Sequence, residues 1–246
     1  VFIQNNRFIS CGQLPLRIDS KQADCTIASN EFTDCTPLSE QPSAIQVLQA
    51  ANVNITHCIF ENNGFSTSKT TNKYVIEVDD TEELDYHINT INYSETRYAG
   101  GLKTTAKITT ILQSEFSKLH ENSAIYYVLD SGGSIVVSEC VFDGLQGSSE
   151  VFTYSSEVFT YSAFSIKSAN VTFQQNIIKN CELPIVTTGD LKSQFYGIGK
   201  FACPTVELDY CQFMNNKCSY TYTSICGGGS GIIFESLRSL TIKNSQ

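Results

Sequence analysis

The residues best equipped for chemistry lie in one acidic run, Asp79-Asp80-Thr81-Glu82-Glu83-Leu84-Asp85-Tyr86-His87. Clustered carboxylates can ligate calcium through oxygen, or supply the paired acids of glycoside hydrolysis. A run of like charge is also how a solvated face reads, and no second acidic cluster stands at a matching position elsewhere in the chain. The run is therefore expected on a peripheral loop, or on a surface strand Tyr74–Val78 continuing into a turn. The ten cysteines are the other reactive inventory. None forms the paired C-x-x-C or His-rich spacing of a zinc site, so neither a metal nor another cofactor is expected. Sequons make Asn54, Asn92 and Asn170 candidate N-glycosylation sites. The run Gly227-Gly228-Gly229-Ser230-Gly231 lacks the Lys-Ser/Thr of a phosphate loop, and it reads, with Gly197-Ile198-Gly199, as a corner or loop.

The bulk composition narrows the setting. The 246 residues are 41% hydrophobic, enough for a continuous core, and their net charge of -9 excludes the basic footprint that grips phosphate backbones. Nucleic acid is thus not an expected partner. No stretch approaches the ~18 apolar residues of a membrane span, and the N-terminal Val1-Phe2-Ile3-Gln4 has no basic signal-peptide region. Cysteines together with sequons point to an oxidising, extracellular or cell-surface setting, the alternative being association with a cytoskeletal or flagellar filament.

What must position these residues is a repeat. In Val171-Thr172-Phe173-Gln174-Gln175-Asn176-Ile177-Ile178-Lys179-Asn180-Cys181, apolar residues stand at offsets 0, 2 and 7, and Asn or Cys stands at 5 and 10. The register recurs from Val1, Cys25, Val53, Ile135 and Val206, more weakly from Thr109, and in truncated form from Leu240. Successive starts lie 24, 28, 56, 26, 36, 35 and 34 residues apart, with the 56 counting as two turns. Apolar residues at i and i+2 mean short strands that send alternate side chains inward, and a period of this size means a solenoid. Further alternating segments, Ile45-Gln46-Val47, Ile125–Leu129 and Phe164-Ser165-Ile166, precede small-residue corners. The predicted architecture is all-β: a right-handed parallel β-helix of about eight coils, each of three short strands, stacked at ~4.8 Å.

Recurrent residue types suit that fold. Asn tolerates left-handed geometry, so the fifth offset is predicted to sit in the corner itself and to build a ladder of stacked copies. Phe8, Phe32, Phe60, Phe116, Phe142 and Phe213 share the seventh offset and are predicted to stack inside the core. Cys58, Cys140 and Cys211 share the fifth offset, and Cys11, Cys35 and Cys181 share the tenth. Cys11 and Cys35 fall on adjacent coils, either as a disulfide or as two packed thiols. Cys203 and Cys226 lie outside the ladder, where a cross-link near the C-terminal end is the second candidate pairing, although sequence does not fix connectivity.

Residues 1–246 are read as a single β-helix segment with two interruptions, a protruding insertion at 64–105 and a duplicated loop at 148–161. The second is the exact repeat of Ser148–Tyr154 as Ser155–Tyr161. Because the repeat starts at the first residue and breaks off at the last, the segment is expected to be an uncapped fragment of a longer protein, with further coils at both ends.

The signatures Cys58-Ile59-Phe60-Glu61-Asn62-Asn63 and Cys211-Gln212-Phe213-Met214-Asn215-Asn216 resemble those of right-handed β-helix surface proteins. With Gly132-Gly133-Ser134-Ile135 and Gly100-Gly101-Leu102, they are similar to the polymorphic-membrane-protein-like repeats of chlamydiae and of surface families in parasitic protists such as trichomonads. That resemblance implies adhesion or display, with protein or glycan partners and no catalytic residues. The fold also resembles pectate lyases, polygalacturonases and phage tailspikes, but here the outward positions are mainly Thr, Ser, Gln and Asn rather than a constellation of titratable groups. The expectation is accordingly a non-enzyme. An architectural rod in a larger filament and a polysaccharide lyase or hydrolase are the alternatives.

Overall fold

The computed structural model describes residues 1–37, 41–65, 74–92, 99–121, 123–129, 132–147, 164–167, 170–183, 198–218, 232–235 and 237–245. They form a right-handed parallel β-helix. The chain advances through a strand of each of three long sheets in turn, so each strand pairs in parallel with its counterpart one coil away. The first sheet has nine strands, from Phe2–Gln4 to Ser239–Lys243. The second and third have eight each, running from Arg7–Ile9 to Gln212–Met214 and from Leu16–Asp19 to Ile232–Glu235. That makes eight coils and the opening strand of a ninth.

The alternating pattern sets which side chains enter the lumen. Ile3, Ile27, Ile55, Tyr86, Ile111, Val137, Phe173, Leu208 and Ile242 occupy one inward column of the first sheet, each opposite the next. In the second sheet the Phe column stacks as predicted. Phe8 and Phe32 lie 4.7 Å apart at 9°, Phe32 and Phe60 5.0 Å apart at 8°, and Phe116 and Phe142 5.2 Å apart at 4°. Offset stacking of this kind adds about 0.5–1.5 kcal/mol per pair beyond area burial. Ile91 and Ile178 stand in the same column, and Phe213 closes it only half-buried.

Two expectations need correction. The described residues within 64–105 do not form a protruding insertion: Tyr74–Asp79, Glu83–His87, Thr90–Asn92 and Gly100–Thr104 are ordinary rungs of the three sheets. Leu84 aligns with Val53 on one side and Thr109 on the other, so the 56-residue interval is two coils of 31 and 25 residues. Leu84-x-Tyr86-x-x-Asn89-x-Ile91 fits the repeat at offsets 0, 2, 5 and 7, with Ser94 at offset 10, and its charged outward neighbours disguise it. Nor are the coils uniformly three-stranded. Between second and third sheets, the later coils carry a short fourth strand, in the set His120–Glu121, Gln146–Gly147, Glu182–Leu183 and Lys217–Cys218.

Gly199, read from sequence as a loop residue, lies in the strand Gly199–Ala202. A Cβ there would sit 1.9 Å from the Phe164 ring, so the glycine makes room for an aromatic in the preceding coil. The duplicated loop 148–161, the glycine run 227–231 and Cys226 lie outside the described residues.

Candidate functional site

The corner ladders are the most repetitive polar feature, and their hydrogen bonds explain the interchange of Asn with Cys. One ladder runs Asn6, Asn30, Cys58, Asn89, Ser114, Cys140, Asn176, Cys211 and Ser245. The Asn30, Asn89 and Asn176 amides donate to Ile3, Ile55 and Val137 O of the preceding coil at 2.9, 2.7 and 2.8 Å. The Cys58, Cys140 and Cys211 thiols aim at the equivalent carbonyls of Ile27, Ile111 and Phe173 at 3.5, 3.7 and 3.2 Å. Each Asn also accepts through Oδ1 from the backbone N–H one coil earlier, as with Cys58 N to Asn89 at 2.8 Å and Cys140 N to Asn176 at 2.9 Å. A thiol is thus a weaker donor at a position where Asn both donates and accepts. The second ladder repeats the arrangement with Cys35 N to Asn63 at 2.9 Å and Cys181 N to Asn216 at 3.0 Å.

Left-handed backbone falls one residue earlier than predicted. His57 (φ 54°), Ile88 (53°), Gln113 (47°) and Glu139 (55°) make the turn, and the following residue points inward to the ladder. Ile88 is sterically the least suited of these. The buried side chain of Asn89 next to it, 1% exposed, fixes the corner from inside. Burial likewise governs the thiols, pushing Cys35 and Cys140 up to about 12 and Cys58 and Cys211 upward, so these thiols hold their protons near neutral pH and react only through a small thiolate fraction.

Titratable side chains converge instead on the outer face of the third sheet. In the strand Tyr74–Asp79, Ile76 and Val78 face inward, which turns Glu77 and Asp79 outward together. Sheet register sets Gln46 against Glu77 from the coil before and Lys103 from the coil after. Lys103 Nζ pairs with Glu77 Oε1 and lies 3.9 Å from Asp79 Oδ2. Gln46 Nε2 donates to Glu77 Oε2 at 3.0 Å, and Thr105 Oγ1 donates to Asp79 Oδ1 at 3.3 Å. Burial drives the Asp79 carboxyl up to about 6; the Lys103 charge opposes this and the Glu77 charge reinforces it. Burial acts downward on Lys103, but its hydrogen bond to Glu77 and the Asp79 charge outweigh it and hold the ammonium pKa raised. The outcome is an Asp79 carboxyl that keeps its proton into mildly acidic conditions beside the Glu77–Lys103 ion pair.

The acidic run seen in sequence does not stay together. Asp79 ends a third-sheet strand, Asp80 turns the corner at φ 54°, and Glu83 and Asp85 lie on the first sheet. Glu82 pairs with Lys107 in solvent, and Asp85 lies 3.8 Å from His87 Nε2. A peripheral loop is therefore the wrong description of residues 79–87, since both ends are sheet. Among the described residues no group of three or more His, Cys, Asp or Glu side chains is gathered as a metal site. Sequence reasoning missed Glu77, Lys103 and Gln46. Strand alternation could have linked Glu77 to Asp79, but Gln46 and Lys103 are brought in only by register.

The remaining candidates are dispersed. Asn54 and Asn170 are exposed on the first sheet, while Asn92 is half-buried and accepts from Ser117 Oγ at 3.3 Å. Cys11 and Cys35 occupy adjacent rungs as two thiols. Cys203 is buried, with its Sγ donating to Ile166 O at 3.3 Å.

A family model described as a right handed beta helix region matches residues 1–83. No curated protein and no solved structure matches the chain.

Proposed function

We propose that the chain is a non-catalytic interaction solenoid displayed at the cell surface, serving adhesion or display like the chlamydial and protist surface repeats that its C-x-F-x-x-N signatures resemble. The observation that carries this reading is the division of labour among its polar residues. Stacked Asn, Ser and Cys are taken up by backbone carbonyls and amides of neighbouring coils, leaving the outer face of the first sheet to mostly short side chains. One outward column runs Phe2, Thr26, Asn54, Asp85, Thr110, Val136, Thr172, Glu207 and Thr241, short except for Phe2 and Glu207. Short side chains lose little rotamer freedom on contact, which suits an extended recognition face for protein or glycan partners. The ladder cysteines Cys58, Cys140, Cys181 and Cys211 carry no weight for the compartment, because they serve as donors to neighbouring carbonyls. Exposed Asn54 and Asn170 carry it instead. Surface biotinylation of the native cell, with a glycosidase-sensitive mobility shift lost on Asn54→Gln and Asn170→Gln, is the expected result. Recovery of the protein inside a cytoskeletal filament with both asparagines unmodified would replace display with architecture.

Glu77, Asp79 and Lys103 favour a second reading, cleavage of an acidic polysaccharide, in which Asp79 holds the proton and Lys103 meets the substrate carboxylate. Release of oligosaccharide from polygalacturonate, lost in Asp79→Asn, would establish it over the first.

A further inference from the structure

Each corner ladder could in principle be stapled wherever two cysteines meet. In the first ladder, Cys58, Cys140 and Cys211 are each flanked by Asn or Ser on the described neighbouring rungs, so no two sulfurs are adjacent. Two rungs span roughly 10 Å, beyond the ~7 Å limit for bridging Cα atoms. Cys11 and Cys35 are the exception among the described ladder positions. Phe8 pairs with Phe32 and Ile9 with Thr33, and Thr36 N donates to Cys11 O at 2.9 Å, so the register is pinned on both sides of the pair. Ser10 and Asp34 turn the two corners with nearly the same φ, 52° and 55°. The Cys35 thiol aims at Phe8 O and Thr33 O, each at 3.6 Å, and the Cys11 thiol at Ile9 O at 3.9 Å, so each sulfur is held at its corner by carbonyls.

We propose that Cys11 and Cys35 form a reversible redox cross-link between the first two coils. Adjacent rungs place the Cα atoms about 4.8 Å apart, inside the ~4.4–6.8 Å range of disulfides, and the Cβ atoms need to close by about 1 Å to reach the usual ~3.8 Å. Cys35 is fully buried whereas Cys11 is half-exposed, so oxidant enters at Cys11. The Cys11 thiolate attacks one sulfur of a small disulfide such as oxidised glutathione, expelling a thiolate and forming a mixed disulfide. Cys35, on losing its proton, attacks the Cys11 sulfur and expels the second thiol. Two protein thiols are oxidised, and one small disulfide is reduced to two thiols. This cross-link is independent of whether the rod is an adhesin.

The test treats the folded full chain with oxidised glutathione, quenches with acid, alkylates under denaturing conditions and maps the peptides. The expected result is loss of two alkylation adducts, at Cys11 and Cys35, with a linked peptide that dithiothreitol separates. Cys11→Ser, at the half-exposed position, is expected to lose none. Full alkylation of both residues, a stable glutathione adduct on Cys11 alone, or the same two-adduct loss in Cys11→Ser would overturn the proposal.

Discussion

Asn63 and Asn89 in the corners, and Glu77 and Lys103 on the outer third sheet, are all held by a partner one coil away, yet the two regions differ in what the partner is. In the corners the partner is backbone, and the residue type repeats as Asn, Cys or Ser on every rung of the first ladder, while the second ladder gives two rungs to buried Leu119 and Leu145. On the outer sheet the partner is another side chain. There Gln46, Glu77, Lys103 and Tyr126 follow one another with no repetition. A uniform column marks what the fold requires of every coil, and a heterogeneous, half-buried and charged column marks one place where this chain departs from its own repeat.

Five substitutions probe that contrast. Phe60 is fully buried and stacked on Phe32, and Phe60→Asp should cost more than about 5 kcal/mol by adding a lone buried charge to a cavity. Circular dichroism should show loss of the β signal. Retention of a native spectrum would show that the Phe column is not essential to the core. Phe213→Asp should be milder because that ring is only half-buried.

Within the ladder, Asn176→Ala strands the Cys140 N–H and the Val137 carbonyl, at a cost of about 2–4 kcal/mol, whereas Cys140→Ala loses only a weak donor and a small packed sulfur, about 1 kcal/mol. Urea denaturation compares them, and equal costs would mean that the ladder is packing rather than hydrogen bonding.

The outer cluster should report through pH. The folded Asp79 carboxyl titrates near 6 against an ordinary 3.8, so the folded state binds more protons in that window and stability falls as pH rises through it. The fall should be on the order of 1–2 kcal/mol, flattened in Asp79→Asn, and visible in midpoints of unfolding between those pH values. A slope unchanged by the substitution would place the titration elsewhere.

The repeat was legible because inward positions must be apolar on every rung. Val171, Phe173, Ile178 and their equivalents gave strand periodicity, coil length and the Phe stack without any coordinates. The coil at Leu84 was equally present in the sequence, but acidic outward neighbours drew attention from its inward pattern. Gly199 was misread because its reason, the Phe164 ring, belongs to another coil.

What the sequence determined by itself was therefore the parallel β-helix, its approximate coil count and the identity of the ladder residues, since alternation and recurrence are local properties of the chain. Tertiary structure alone decided that Glu77 meets Lys103 and Gln46, and that residues 79–87 fold around a corner onto two sheets. The Glu77 contacts join residues 26 and 31 positions apart through coils of unequal length, so a shift of one residue in register would replace both of them.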